Sequence, residues 1–172
     1  MASALADSWK DVLVWGLMAS VFAGVVPFLI VLAFFLKGRI SDMHVAVKEQ
    51  RWVPLGASIL SGVLGLIALR AVNAPVALLA LTAGYLANAV VFIIVSFFWK
   101  ASIHSGVYTG AFGACAMVVS PWWWLGLLGL PGIIWARSQR GRHTVPQGIV
   151  GACIALAVMS ATYLAVMAKW GA

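Results

Sequence analysis

Uncharged hydrophobic runs at residues 12–36, 54–69, 75–99 and 144–168 alternate with short polar gaps along this chain. A fifth uncharged stretch, between Ser105 and Ala136, is too long for one crossing, and Ser120-Pro121 divides it where proline interrupts a helix. A bilayer crossing takes about 20 apolar residues. The pattern therefore predicts six transmembrane helices, near 12–36, 54–71, 75–99, 102–120, 121–136 and 144–168. The expected fold class is all-α, a polytopic six-helix bundle in which residues 1–172 form one membrane-integral domain. The first run is longer than a signal-peptide core and continues well past Ala23-Gly24, so it is read as a retained span.

Composition agrees, with 64% hydrophobic and 9% charged residues among 172. The formal net charge of +7 does not point to nucleic acid, because the cations are divided among short loops instead of forming one stripe. Anionic lipid headgroups or a phosphorylated substrate are the expected partners. Cys115 and Cys153 fall inside hydrophobic runs among small residues and fit no metal or redox spacing, so they read as packing residues. Trp122, Trp123 and Trp124 read as an interfacial belt, and Gly106, Gly110 and Gly113 as close-packing positions.

The polar gaps carry the chemistry. His44, His104 and His143 occupy the gaps between runs one and two, three and four, and five and six. Alternate gaps emerge on one membrane face, so the three histidines are expected to converge. Lys48 and Arg51 accompany the first, Lys100 and Ser102 the second, Arg137 and Arg142 the third. Such a cationic pocket with proton carriers suits a phosphate at a membrane surface. The chain has only four carboxylates, Asp7, Asp11, Asp42 and Glu49, and no Asp-x-x-x-Asp pattern to hold Mg²⁺ on a diphosphate. The expected chemistry is therefore independent of metal and of any cofactor, the phosphoryl charge being met by Lys, Arg and backbone N–H donors. Asp42 and Glu49 are expected to pair with neighbouring cations.

In the third gap, arginine, five residues, histidine, three residues and a polar acceptor run from Arg137 through His143 to Gln147. That spacing resembles the last motif of the type 2 phosphatidic acid phosphatase family, SRxxxxxHxxxD, and Ala101-Ser102-Ile103-His104 falls where the family has PSGH. The resemblance covers the six-helix layout and these two motifs. It departs at Ala101 and Ile103, at Ala136, at Gln147 in place of aspartate, and in the first motif, where Trp52 follows Arg51.

The resemblance implies a multi-pass enzyme of a prokaryotic cell membrane that hydrolyses a lipid phosphate or a prenyl or polyprenyl (di)phosphate. It implies His143 as the nucleophile forming a phosphohistidine and His104 as the proton donor to the leaving oxygen. Arg137, Ser102, Arg51 and Lys48 would hold the phosphate. Asp42, His44, Lys100 and Arg142 are candidate supporting residues from their place in the gaps, Lys100 and Arg142 reading first as topology anchors or snorkelling cations. Gln147 has two readings. It stands where the family's aspartate orients the histidine, and with Thr144 it also matches a capping box. Asp42 with His44 is an alternative source of the acidic partner. A noncatalytic lipid-phosphate binding or transport protein on the same fold is the alternative function.

Counted by gap parity, eight cations fall on the histidine face and three (Lys10, Arg70 and Lys169) on the other. The positive-inside rule would make the histidine face cytoplasmic. Setting aside Lys48, Arg51, Lys100, Arg137 and Arg142 as phosphate ligands or their neighbours leaves three on each side, so both orientations stay open.

Overall fold

A computed structural model describes residues 9–40, 50 and 52–171. These are helical, with no strand among them. The helices are α1 (Trp9–Leu36), α2 (Trp52–Ala71), α3 (Val76–Phe98), α4 (Ile103–Val118), α5 (Leu130–Gln139) and α6 (Val145–Trp170), and a 3-10 segment, Pro121–Gly129, leads into α5. Four of them, α1, α2, α3 and α6, are long and apolar enough to cross a membrane. Their outward faces are Leu, Val, Ile and Phe, as expected of surface wetted by lipid.

The expected helix over 12–36 is interrupted by a π-turn at Val21–Val25. Pro27 has no N–H to return to the preceding turn, so carbonyls there lose a helical donor. The Ser61 hydroxyl of α2 donates to the Phe22 carbonyl at 2.5 Å, satisfying it inside the bundle. Gly65 on α2 leaves room for the Phe22 side chain, 2.7 Å from where a Cβ would stand. The wider turn is thus locked to the neighbouring helix.

The expected helix over 121–136 starts instead as the 3-10 segment and becomes α-helical only at Leu130. The Tyr108 hydroxyl and the Phe112 ring on α4 occupy the space that a Cβ would take at Gly129 and Gly126 respectively. The Tyr108 hydroxyl donates to the Gly126 carbonyl at 2.6 Å, which competes with the helix ladder there. From the rise per residue, α4 is about 24 Å long, and the 3-10 segment with α5 spans about 33 Å on the way back. Trp122 at the far turn is 78% exposed, consistent with a tryptophan at a membrane boundary.

Helix α6 packs chiefly on α3 and α4, α2 on α3, and α1 on α2. Asn88 ties α3 to α6: its Nδ2 donates to Ala155 O at 3.3 Å and to Gly84 O at 3.1 Å. Its buried Oδ1 has no hydrogen-bond partner among the described residues. Of the three glycines read as packing positions, Gly106 and Gly113 do bring helices together, against Phe92 and Leu156. Gly110 faces open space instead.

Candidate active site

Two contacts bring the ends of the polar gaps to one end of the bundle. Leu55, in the first turn of α2, packs in one cluster with Phe92, Ala101 and Ala155. Ser102, just before α4, donates its backbone N–H to the Gln147 carbonyl of α6 at 2.9 Å. The second contact is close because Gly151 lacks a side chain. A Cβ there would press on the Ser102 carbonyl oxygen and stand 3.0 Å from its amide nitrogen. The starts of α2 and α4 therefore both pack against α6 at one end of the bundle.

The spacing from Arg137 to His143 is the geometry of a helix stop. Arg142 N–H donates to Arg137 O at 3.1 Å and Gly141 N–H to Ser138 O at 2.9 Å, with Gly141 at φ +61°. These are the two bonds of a Schellman turn, and the left-handed residue is glycine because a Cβ there is strained. His143 N–H adds a bond to the same Arg137 carbonyl at 3.4 Å. The backbones of arginine and histidine, with five residues between them, are thereby folded back on each other, and Arg137 Nε is buried.

His143 is only 8% exposed and directly precedes Thr144, the N-cap of α6. Gln147 Oε1 lies 3.2 Å from His143 Nδ1 and accepts the Thr144 backbone N–H at 3.1 Å, closing a capping box. These bonds merge the two readings of Gln147, since one oxygen both caps the helix and holds the imidazole. They also decide a proton position. A backbone N–H can only donate, so the Gln147 atom facing it is the oxygen. An oxygen facing Nδ1 requires the proton on Nδ1 in the neutral ring. The lone pair then resides on Nε2, at the N-terminus of a helix whose dipole favours an anion.

Ser102 was expected to donate to phosphate through its side chain. It is fully buried, and its Oγ accepts from Ser105 N–H at 3.4 Å and from the Ser105 hydroxyl at 3.2 Å as the N-cap of α4. Its position is nonetheless at the helix start where backbone N–H groups point outward. His104 is exposed on the first turn of α4. Lys100 precedes that turn and Arg142 lies within the Schellman turn, both half-buried. Asp42, His44, Lys48 and Arg51 lie outside the described residues. Sequence reasoning missed Gly151 and Ser105: the first reads as another packing glycine and the second as an ordinary helix serine.

No protein-family model, curated protein or solved structure matches this chain.

Proposed function

We propose that the chain is a six-span membrane phosphatase that hydrolyses a lipid phosphate or a prenyl or polyprenyl (di)phosphate without metal, through a phosphohistidine. The observation that carries this reading is the single Gln147 oxygen that caps α6 and lies 3.2 Å from His143 Nδ1, placed to accept its N–H. It leaves Nε2 as a nucleophile at a helix N-terminus, with the Arg137 and His143 backbones joined through the helix stop. The lengths of α4 and of the return leg, near the hydrocarbon thickness of about 30 Å, support two further crossings.

In the proposed reaction His143 Nε2 attacks phosphorus, the N–P bond forms and the P–O bond to the lipid alcohol breaks. His104 gives its proton to the departing oxygen. Water then attacks the phosphohistidine, losing its proton to His104, and the N–P bond breaks to release phosphate and restore both imidazoles. Arg137, Lys48 and Arg51 balance charge on the non-bridging oxygens, and the start of α4 at Ser102 supplies N–H donors. Asp42, His44, Lys100 and Arg142 take supporting roles in this proposal.

One observation favours the second reading, a noncatalytic lipid-phosphate binder. Gln147 is neutral and supports an imidazolium less well than a carboxylate does. Phosphate release by purified protein, assayed with and without EDTA, separates the two. The phosphatase reading expects turnover that survives EDTA and is lost in His143→Ala. Binding of a lipid phosphate without turnover, or turnover that persists in His143→Ala, contradicts it.

A further inference from the structure

An open groove of about 460 Å³ runs between α5 and α6, lined chiefly by Leu127, Ile134, Trp135, Val145 and Ile149. The two helices touch at its floor, where a Cβ at Gly148 would stand 2.8 Å from Ile134 Cγ1. Trp135 on α5 and Ile149 on α6, both exposed, form its two sides. Ser138 also lines it, and its hydroxyl donates back to the Trp135 carbonyl at 2.8 Å, so the wall stays apolar. From Ser138 down to Leu127 the groove follows eight residues of α-helix and three of the 3-10 segment, about 18 Å. That is close to half of a hydrocarbon core about 30 Å thick, the depth of one leaflet. The upper end is basic: Ser138 and Val145 bracket residues 139–144, which carry Arg140 and Arg142, and Arg137 directly precedes Ser138. Residues 50–172 contain no aspartate or glutamate, so α2 to α6 offer this turn no acidic side chain. The groove lies away from the imidazole. Gln147, which holds His143, is about 200° round α6 from Val145 and about 160° from Ile149.

We infer that the groove between α5 and α6 binds an anionic phospholipid of the bilayer, with an acyl chain along Ile134, Trp135 and Ile149 and the headgroup phosphate at the arginine turn. Apolar walls reach one leaflet deep, and positive charge stands at the end that meets the headgroup layer. Basic pockets between transmembrane helices bind anionic headgroups, and each Lys or Arg near the surface strengthens the attraction about fivefold. A bound chain also completes the contact of α5, a helix of 10 residues, with α6, and so braces the turn that carries Arg137 and His143. Such a site requires α5 to lie in the bilayer, as proposed above, and stands apart from the chemistry proposed at His143.

The test titrates full-length protein in neutral detergent with dioleoyl phosphatidylglycerol, dioleoyl phosphatidylcholine, or glycerol phosphate, which has an anionic head and no chains. Binding is read by native mass spectrometry and by the thermal midpoint. Phosphatidylglycerol is a phosphodiester, so a phosphatase acting on terminal phosphates leaves it intact. It should bind at least about fivefold more tightly than phosphatidylcholine and raise the midpoint, while glycerol phosphate does neither. Arg140→Gln should weaken phosphatidylglycerol about fivefold and leave phosphatidylcholine within about twofold. Ile149→Trp, which fills the groove from its side, should abolish the preference. Trp135→Ala, which removes a wall, should weaken phosphatidylglycerol at least about threefold and serves if Ile149→Trp fails to fold. His143→Ala should bind it as the unaltered protein does. Equal affinity for the two lipids, or a preference unchanged in Arg140→Gln or in both groove variants, means an annular lipid only and overturns the inference. Binding of glycerol phosphate as tight as that of phosphatidylglycerol marks a site for free phosphate and overturns it too. So does loss of phosphatidylglycerol in His143→Ala, because the lipid then occupies the candidate active site. Phosphatidylglycerol binding that follows the expected pattern in a protein that releases no phosphate sinks the phosphatase reading and leaves the lipid site standing.

Discussion

Replacing Gln147 removes two bonds that end on one oxygen, so a graded series can separate cap from catalysis. In Gln147→Leu the Thr144 N–H loses its acceptor, which costs about 0.5–2 kcal/mol as for other N-terminal caps. The His143 Nδ1 proton loses its partner too, a further ~0.5–1.5 kcal/mol in a buried residue. The summed destabilisation is about 1–3.5 kcal/mol. Only the second loss bears on chemistry. A bias of about 1 kcal/mol between tautomers corresponds to roughly fivefold in their ratio, so the loss of reactive tautomer alone should slow turnover by up to about fivefold. Gln147→Glu keeps an acceptor at the same reach and adds a carboxylate in the first turn of α6, worth about 0.3–1 kcal/mol there. It should be as stable or more so, and at least as fast. Thr144→Ala disturbs the cap alone and should lower stability by ~1 kcal/mol with the rate kept. Thermal unfolding in detergent and initial-rate phosphate release read the two quantities separately. Loss of stability in Gln147→Leu with an unchanged rate, or a slower Gln147→Glu, would refute the orienting role.

Gly151→Ala should cost about 1–3 kcal/mol, because the added methyl meets the backbone of Ser102, and a shift of about 1 Å in the start of α4 should slow turnover by up to ~10²-fold. Gly132→Ala, with nothing within 4 Å, is the control that should lose neither stability nor rate. Asn88→Leu removes the bridge to Ala155, worth about 0.6–1.7 kcal/mol, but also a buried oxygen with no hydrogen-bond partner among the described residues, worth about 1–3 kcal/mol. Its thermal midpoint should hold or rise, and a fall equivalent to more than about 2 kcal/mol would mean that this oxygen is satisfied in the membrane. Single cysteines at Trp122 and Val72, in a background lacking Cys115 and Cys153, should react with an impermeant maleimide from the same side, and one at Gln139 from the other. Labelling of the Trp122 position together with Gln139 would reduce the crossings to four and make α4 and α5 a re-entrant pair.

The long apolar runs were legible because a bilayer demands length and hydrophobicity from each segment alone, and α1, α2, α3 and α6 lie within a few residues of the expected bounds. The π-turn in α1 and the 3-10 start after Pro121 were not: Pro27 frees a carbonyl in α1, but Ser61 on another helix takes it up, and Tyr108 and Phe112 on a neighbouring helix shape the second. In the site, the spacing from Arg137 to His143 was legible as a motif, whereas its physical content, a Schellman turn on Gly141, needed the backbone. Gln147 could be read as cap or as orienting group, but one atom doing both is visible only in three dimensions. Ser102 shows the same gap from the other side, since its residue type suggested a ligand while its burial and its bonds to Ser105, seen only in three dimensions, give it a capping role at α4.

The central claim is that His143 Nε2 takes the phosphoryl group, and it is tested by trapping that group. Purified protein mixed with farnesyl phosphate and quenched in alkali, where a phosphohistidine survives, should yield one phosphorylated peptide by mass spectrometry, with the phosphoryl group on His143. The modification should be absent in His143→Ala and should accumulate when His104→Ala slows attack by water. Phosphate release with no phosphohistidine at any time point, or a phosphoryl group on another residue, would contradict the account.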